Sequence, residues 1–163
     1  MSDETKKVVN SGINKAFSEL TDRFEKLGFK KGKKKFWYRI KNLSIDFIHI
    51  HISGSSYGAI VNSSVSFRIH CGNRILNDTF EALALNGPNS DSPDTSNKKY
   101  HLRFNAETGS TYERCVDDIE KFIIEFGEPW YKSNELNNHE QGEINPYNLK
   151  LSYKLLGIKD IKK

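Results

Sequence analysis

Cysteine is scarce in this sequence: Cys71 and Cys115 are the two in 163 residues. A small secreted scaffold held by disulfides would carry more, closely spaced. No Cys-x-x-Cys pair occurs, which excludes a zinc ribbon and a thioredoxin-like redox site. Long apolar runs are missing as well. Nothing approaches the roughly 20 apolar residues of a membrane-crossing helix. The opening Met-Ser-Asp-Glu-Thr-Lys-Lys lacks the apolar stretch of a signal peptide. These absences predict a cytosolic domain with two free, buried thiols. The glycine loops that cradle nucleotide phosphates and the HExxH pattern of zinc hydrolases are absent too. Neither sign of charge dominates: 25 Lys and Arg against 21 Asp and Glu leave a net charge of +4. That balance is compatible with an acidic protein partner or a nucleic acid and demands neither.

What is present is aromatic. The chain holds 10 Phe, 7 Tyr and 2 Trp, each able to bury roughly 150–250 Å². At a length within the usual range of one domain, about 100–200 residues, that is material for one core. The apolar residues Val9, Ile13, Ala16, Phe17, Leu20, Phe24 and Leu27 recur at helical steps and predict a long helix over Glu4–Leu27, closed by Gly28. After the basic turn Lys30–Lys35 the period changes to two. Phe36, Tyr38 and Ile40 then alternate with Trp37, Arg39 and Lys41, and Ile48, Ile50 and Ile52 with Phe47, His49 and His51. A third strand, Ile60–Cys71, sets Val65, Phe67, Ile69 and Cys71 against Ser66, Arg68 and His70. A fourth, Lys99–Phe104, sets Tyr100, Leu102 and Phe104 against His101 and Arg103. Such alternation predicts an antiparallel sheet with one packed face.

The segment Thr79–Leu85 reads as one or two helical turns, and residues 87–97 as a polar, mobile loop. A second helix is predicted over Thr111–Phe126. Ser110 and Glu113 would form a capping box, and Gly127 and Pro129 would end the helix. Asn145-Pro146 announces a short third helix that ends at Gly157, and residues 159–163 read as a frayed tail. The fold class expected is α+β: an antiparallel sheet of about four to five strands, with N-terminal and C-terminal helices on one face.

The passage Leu27-Gly28-Phe29-Lys30-Lys31, followed by Phe36-Trp37-Tyr38-Arg39, resembles the opening of a bacterial family defined only as a domain of unknown function, DUF4304. The helix Tyr112–Trp130 is similar in layout to the family's later acidic helix. Histidines interleaved through Ile48–Ile52 depart from the family pattern. The resemblance implies a fold and no established activity. Relatives of this size are often encoded near polymorphic toxins, which implies an immunity role.

The outer face of the sheet is the candidate site. If consecutive strands pair, Trp37, Arg39, His49, His51, Arg68, His70, His101 and Arg103 share one surface. Arginine brings planar forked donors and tryptophan an interface anchor. The competing reading is a solvated sheet face. A metal held by His49, His51 and a third histidine is disfavoured because no carboxylate shares their parity; Asp46 has the opposite one. Cys71 and Cys115 fall on apolar stripes and read as core, so no catalytic nucleophile is assigned. The lysine turn reads as a solvated hairpin.

Three functions follow in order. The first is a non-enzymatic protein-binding domain, specifically an immunity protein that masks a cognate toxin, with no cofactor. The second is a nucleic-acid-associated module using the lysine turn with Arg68 and Arg103. The third is a metal-dependent hydrolase built on the histidines.

Overall fold

The computed structural model describes residues 3–41, 43–53, 63–77, 83–91, 100–133 and 143–159. Helix α1 spans Asp3–Glu25 and buries Val9, Ile13, Ala16, Leu20 and Phe24 along one stripe. Gly28, at φ +95°, closes it in the left-handed region. The Gly28 N–H donates to Glu25 O and the Phe29 N–H to Phe24 O, a paired closure that satisfies the final carbonyls. Phe29 folds back so that its ring meets Phe24 at 6.4 Å.

Among the described residues six strands follow: β1 (Lys30–Lys31), β2 (Phe36–Ile40), β3 (Ser44–Ser53), β4 (Ser64–Ile75), β5 (Leu83–Asn89) and β6 (Arg103–Asn105). They form one antiparallel sheet in the order β1-β2-β3-β4-β5, with β6 also paired to β4. The α+β antiparallel architecture is therefore the expected one. After β6 come α2 (Tyr112–Phe122), a π-helical turn (Ile123–Gly127), α3 (Glu128–Ser133) and α4 (Pro146–Leu156).

One face of the sheet carries Trp37, Ile48, Ile50, Val65, Phe67, Ile69 and Cys71, all buried in a core shared with α1 and α2. Trp37 is fully buried, with the rings of Phe17 and Phe24 edge-on at 5.1 and 5.3 Å. Its indole N–H donates to Thr21 Oγ1 at 3.0 Å, so the ring's polar atom is satisfied inside the core. Arg23 ties α1 to α2 through Asp117 and Glu120.

The other face is not all solvent. Ile45, Phe47, Leu76, Leu156 and Ile158 form a second core, with Phe36, Tyr38, Leu149 and Tyr153 packed against it. Helix α4 covers this end. Asn145 caps it by accepting from the Tyr147 and Asn148 N–H groups, Pro146 fills its first turn, and Gly157 closes it at φ +72°. The closing helix thus packs on the face opposite α1 and α2, where one common face was expected.

Other expectations change locally. Thr111, in the left-handed region, precedes α2 without a side-chain cap, so the capping box at Ser110 does not form. Gly127 does not end that helix. The chain runs through the π turn, where the Glu128 N–H reaches Ile123 O, and continues into α3. A π turn shifts the hydrogen-bond register by one carbonyl, so Pro129, which has no N–H to give, is accommodated there. Gly127 serves close approach instead, since a Cβ there would meet Cys71 Sγ at 3.1 Å. Leu83–Leu85, expected to be helical, lie in β5, as do Gly87–Asn89 from the expected loop. Gly87 and Pro88 sit where the register with β4 slips, a place in an edge strand that tolerates a missing N–H. Among the described residues of the fourth expected strand, Arg103 and Phe104, together with Asn105, pair in β6. Residues 54–58, 60–62, 79–82, 92–99 and 160–163, for which the sequence predicts loop, strand, helix or tail, lie outside the described residues.

Candidate functional site

Antiparallel pairing of β3 with β4 sets His49 opposite His70 and His51 opposite Arg68. Their neighbours Ile48, Ile50 and Ile69 point into the main core, which fixes these four on the other face. They line a concavity of about 360 Å³, walled on the far side by Asn89 and Asp91. That wall is held in place: the Ser90 N–H donates to Ile69 O, and the Ile69 N–H to Ser90 Oγ. Arg68 Nε meets Asp91 Oδ2 at 2.6 Å, with both side chains 56% exposed, so solvent screens the pair.

A second concavity of about 390 Å³ adjoins the first and shares His49 and His70 with it. Its walls are Phe36, Phe47, Leu155 and Leu156, with Lys33, Arg74 and Asn86 at its polar margin. Gly72 makes the space. A Cβ there would lie 2.5 Å from Phe47 Cζ, so the Phe47 ring occupies the place a side chain would take. Arg74, buried beneath α4, donates from Nε to Ser152 Oγ at 3.0 Å. The two lobes form one groove, with a mixed-charge end at Arg68 and Asp91 and an apolar end with a cationic margin.

Two histidines of the groove, His49 and His70, are held neutral. Burial, followed by the charges of His70, His51 and Lys35, pushes His49 down to about 4. His49 also stacks on Phe36, with centroids 4.4 Å apart and planes 19° apart. Burial lowers His70 as well, against a hydrogen bond with Asn86 that favours its charged form. A neutral imidazole offers one donor and one acceptor, so near neutral pH the middle of the groove hydrogen-bonds without carrying charge.

Half of the expected surface is thereby brought together and half is not. His49, His51, Arg68 and His70 line the groove. Arg103, opposite Ser66, shares their face but lies outside the groove. His101 precedes β6, with its N–H held by Asp118 Oδ2 at 2.7 Å. Trp37 and Arg39 face the other way, because Trp37 pairs with Ile48 and Arg39 with Asp46.

Arg39 stands over the Phe29 ring at 4.3 Å and donates to Asp46 Oδ2, Glu128 Oε1 and Leu27 O. Burial opposes its charge, but Glu128 and Asp46 outweigh that effect and raise its pKa. Asp46, 2% exposed, is pushed up to about 6 because burial outweighs the attraction of Arg39. This cluster clamps the end of α1 and the start of α3 onto the sheet. A carboxylate on the apolar parity of β3 was the one sequence signal for it. Lys33, Arg74 and Leu155 were missed as groove residues. Arg74 continues the period-two series Arg68, His70, Gly72, and that continuation was the available signal.

The thiols belong to the core. Burial pushes both Cys71 and Cys115 up to about 12, far from the thiolate a nucleophile needs. Among the described residues no group of three or more His, Cys, Asp or Glu is arranged to hold a metal ion, and no helix is long and apolar enough to cross a membrane.

No curated protein and no solved structure matches the chain. A family model does, over residues 20–133, described as a domain of unknown function (DUF4304). The match runs from within α1 to the end of α3. It takes in the Arg39 clamp and both histidine strands and stops before α4. With well over half of its length inside that match, the chain belongs to the DUF4304 family.

Proposed function

We propose that this chain is a non-enzymatic binding domain that neutralises a cognate toxin by seating a segment of it in the two-lobed groove. The observation that carries this reading is the groove itself, a preformed concavity on a rigid sheet with an apolar end beside fixed polar groups. Stable protein interfaces centre on such a frame, with a desolvated middle and a polar rim. A typical partner buries about 800 Å², more than the groove alone offers. The adjoining face of α4 extends it: Tyr147, Leu151 and Leu155 recur every four residues, and Tyr147 and Leu155 are 57% and 40% exposed. The lysine turn lends less support to a nucleic-acid role. Lys31 folds back to donate to Gly32 O and Lys34 O and lies over the Trp37 ring.

Co-expression with the product of the adjoining gene tests the reading. The neighbour alone is expected to arrest growth, and the pair to grow and yield a stoichiometric complex. Leu155→Arg, at an exposed position, is expected to weaken that complex by about tenfold or more. A harmless neighbour, or a toxic one that this chain neither binds nor silences, refutes the proposal.

A further inference from the structure

We infer that the segment seated in the groove is acidic: one large apolar side chain enters the lobe walled by Phe36, Phe47 and Leu155, and flanking carboxylates meet the cationic margin at Lys33. The inference rests on the binding reading above and specifies its partner. The second lobe is lined by two cationic side chains, two histidines, Asn86 and four apolar residues, with no carboxylate among the described ones. Lys35 acts on His49 from the β2 side. Among the described residues the one carboxylate of the groove, Asp91, stands at the far end against Arg68. A basic segment would set like charges together, which disfavours the wrong partner more strongly than any single contact favours the right one.

The aromatic walls argue for a peptide over a nucleic acid. Single-stranded nucleic acids stack their bases on open ring faces. Here one face of Phe36 is taken by His49, and Phe47 has Phe36 and His70 edge-on at 5.9 Å each. A volume of about 390 Å³ lies within the range of sites that enclose compact apolar groups.

The histidines couple this binding to protons. Burial holds His49 and His70 neutral in the free protein, and neighbouring positive charge adds to it at His49. The charged and titratable groups around them are Lys33 and Lys35 from the β1–β2 turn, His51 from β3, Arg68 and Arg74 from β4, and Asp91 after β5; α4 contributes Leu155 and Leu156. A bound carboxylate would favour the charged imidazoles and raise their pKa values. The added affinity therefore grows as pH falls toward the free-state values and is lost as pH rises through the bound-state ones.

The test uses the full chain and three probes: a blocked peptide Glu-Glu-Phe-Glu-Glu-Leu-Glu-Glu, the same peptide with Lys for every Glu, and oligouridine. NMR titration with the acidic peptide is expected to give saturable shifts at His49, His70 and Leu155. Binding should be tighter by about threefold at about pH 5.5 than at about pH 7.5. Lys33→Glu, at an exposed position, is expected to weaken it by about fivefold. His70→Gln should flatten the pH dependence, which loss of packing alone would not do. No saturable shift in the groove, an equal response to the lysine peptide, or a stronger response to oligouridine overturns the inference. A toxin complex that forms through the groove while the acidic peptide leaves it unmoved overturns the acidic assignment alone. Peptide binding together with failed co-expression overturns the toxin reading alone.

Discussion

Asp46 and His49 lie three residues apart on β3, and burial moves their titrations in opposite directions. Asp46 rises to about 6 and His49 falls to about 4. For Asp46 the folded state holds its proton more strongly than the unfolded chain, whose value is near 3.8. Its contribution to stability is full below that value and is lost as pH rises through about 6. For His49 the folded state resists protonation, so stability is lost as pH falls from about 6.5 through about 4. Asp46→Asn keeps an acceptor for Arg39 and removes the first titration. Between about pH 7.5 and pH 4 the wild type is expected to gain on this variant by about 2 to 3 kcal/mol. Urea unfolding across that range measures the difference, and parallel pH profiles would contradict the assignment.

At the scale of elements, α4 sets the width of the groove, and its first turn hangs on Asn145. The Asn145 N–H also bonds Leu76 O at the end of β4. Asn145→Ala is expected to cost about 1 kcal/mol and to loosen the Leu155–Leu156 wall. Thermal unfolding reads the first effect, and the shift of the His70 resonances the second. The sequence made some elements plain and hid others for physical reasons. Over Ile48–Ile52 and Phe67–Cys71 one face is apolar and the other polar, so alternation set His49, His51, Arg68 and His70 on one face. In β2, Phe36, Trp37, Tyr38 and Ile40 put apolar groups on both parities, because both faces of that strand are covered; alternation there has no phase, and Trp37 and Arg39 were placed on the wrong side. Gly127 and Pro129 carry the usual stop signals, but a shifted register and a close approach to Cys71 use both residues inside a continuing helix. Arg74 escaped notice because β4 was expected to end at Cys71, whereas Gly72 and Asn73 continue it under a bulged partner.

On the scale of the whole molecule, two cores lie on opposite faces of one sheet, and the smaller depends on the last described segment. Leu156 and Ile158 are its buried contribution from the C-terminal side. Full burial of each is worth about 1.5 to 3 kcal/mol, a large share of the roughly 5–15 kcal/mol that holds a domain folded. A chain ending at Glu143 is expected to expose Phe47 and Leu76, bind a hydrophobic dye and self-associate, while α1, α2 and the main core persist. Dye fluorescence with light scattering, compared with the intact chain, checks this; a monomeric, dye-free truncated protein would contradict it.

The double burial of β2 also bears on kinship. Gly28 turns the chain, Phe29 packs on Phe24, and Trp37 and Arg39 are spent on the inner face. These residues stand in the opening stretch Leu27–Lys31 and Phe36–Arg39 that resembles the family, and of that stretch Phe36 lines the groove. α4, which shapes the apolar lobe, falls beyond the matched stretch. If the groove binds as proposed, two relatives with the same opening signature can differ in ligand, and comparing the sheet's histidine rows and the stretch after residue 133 would sort them.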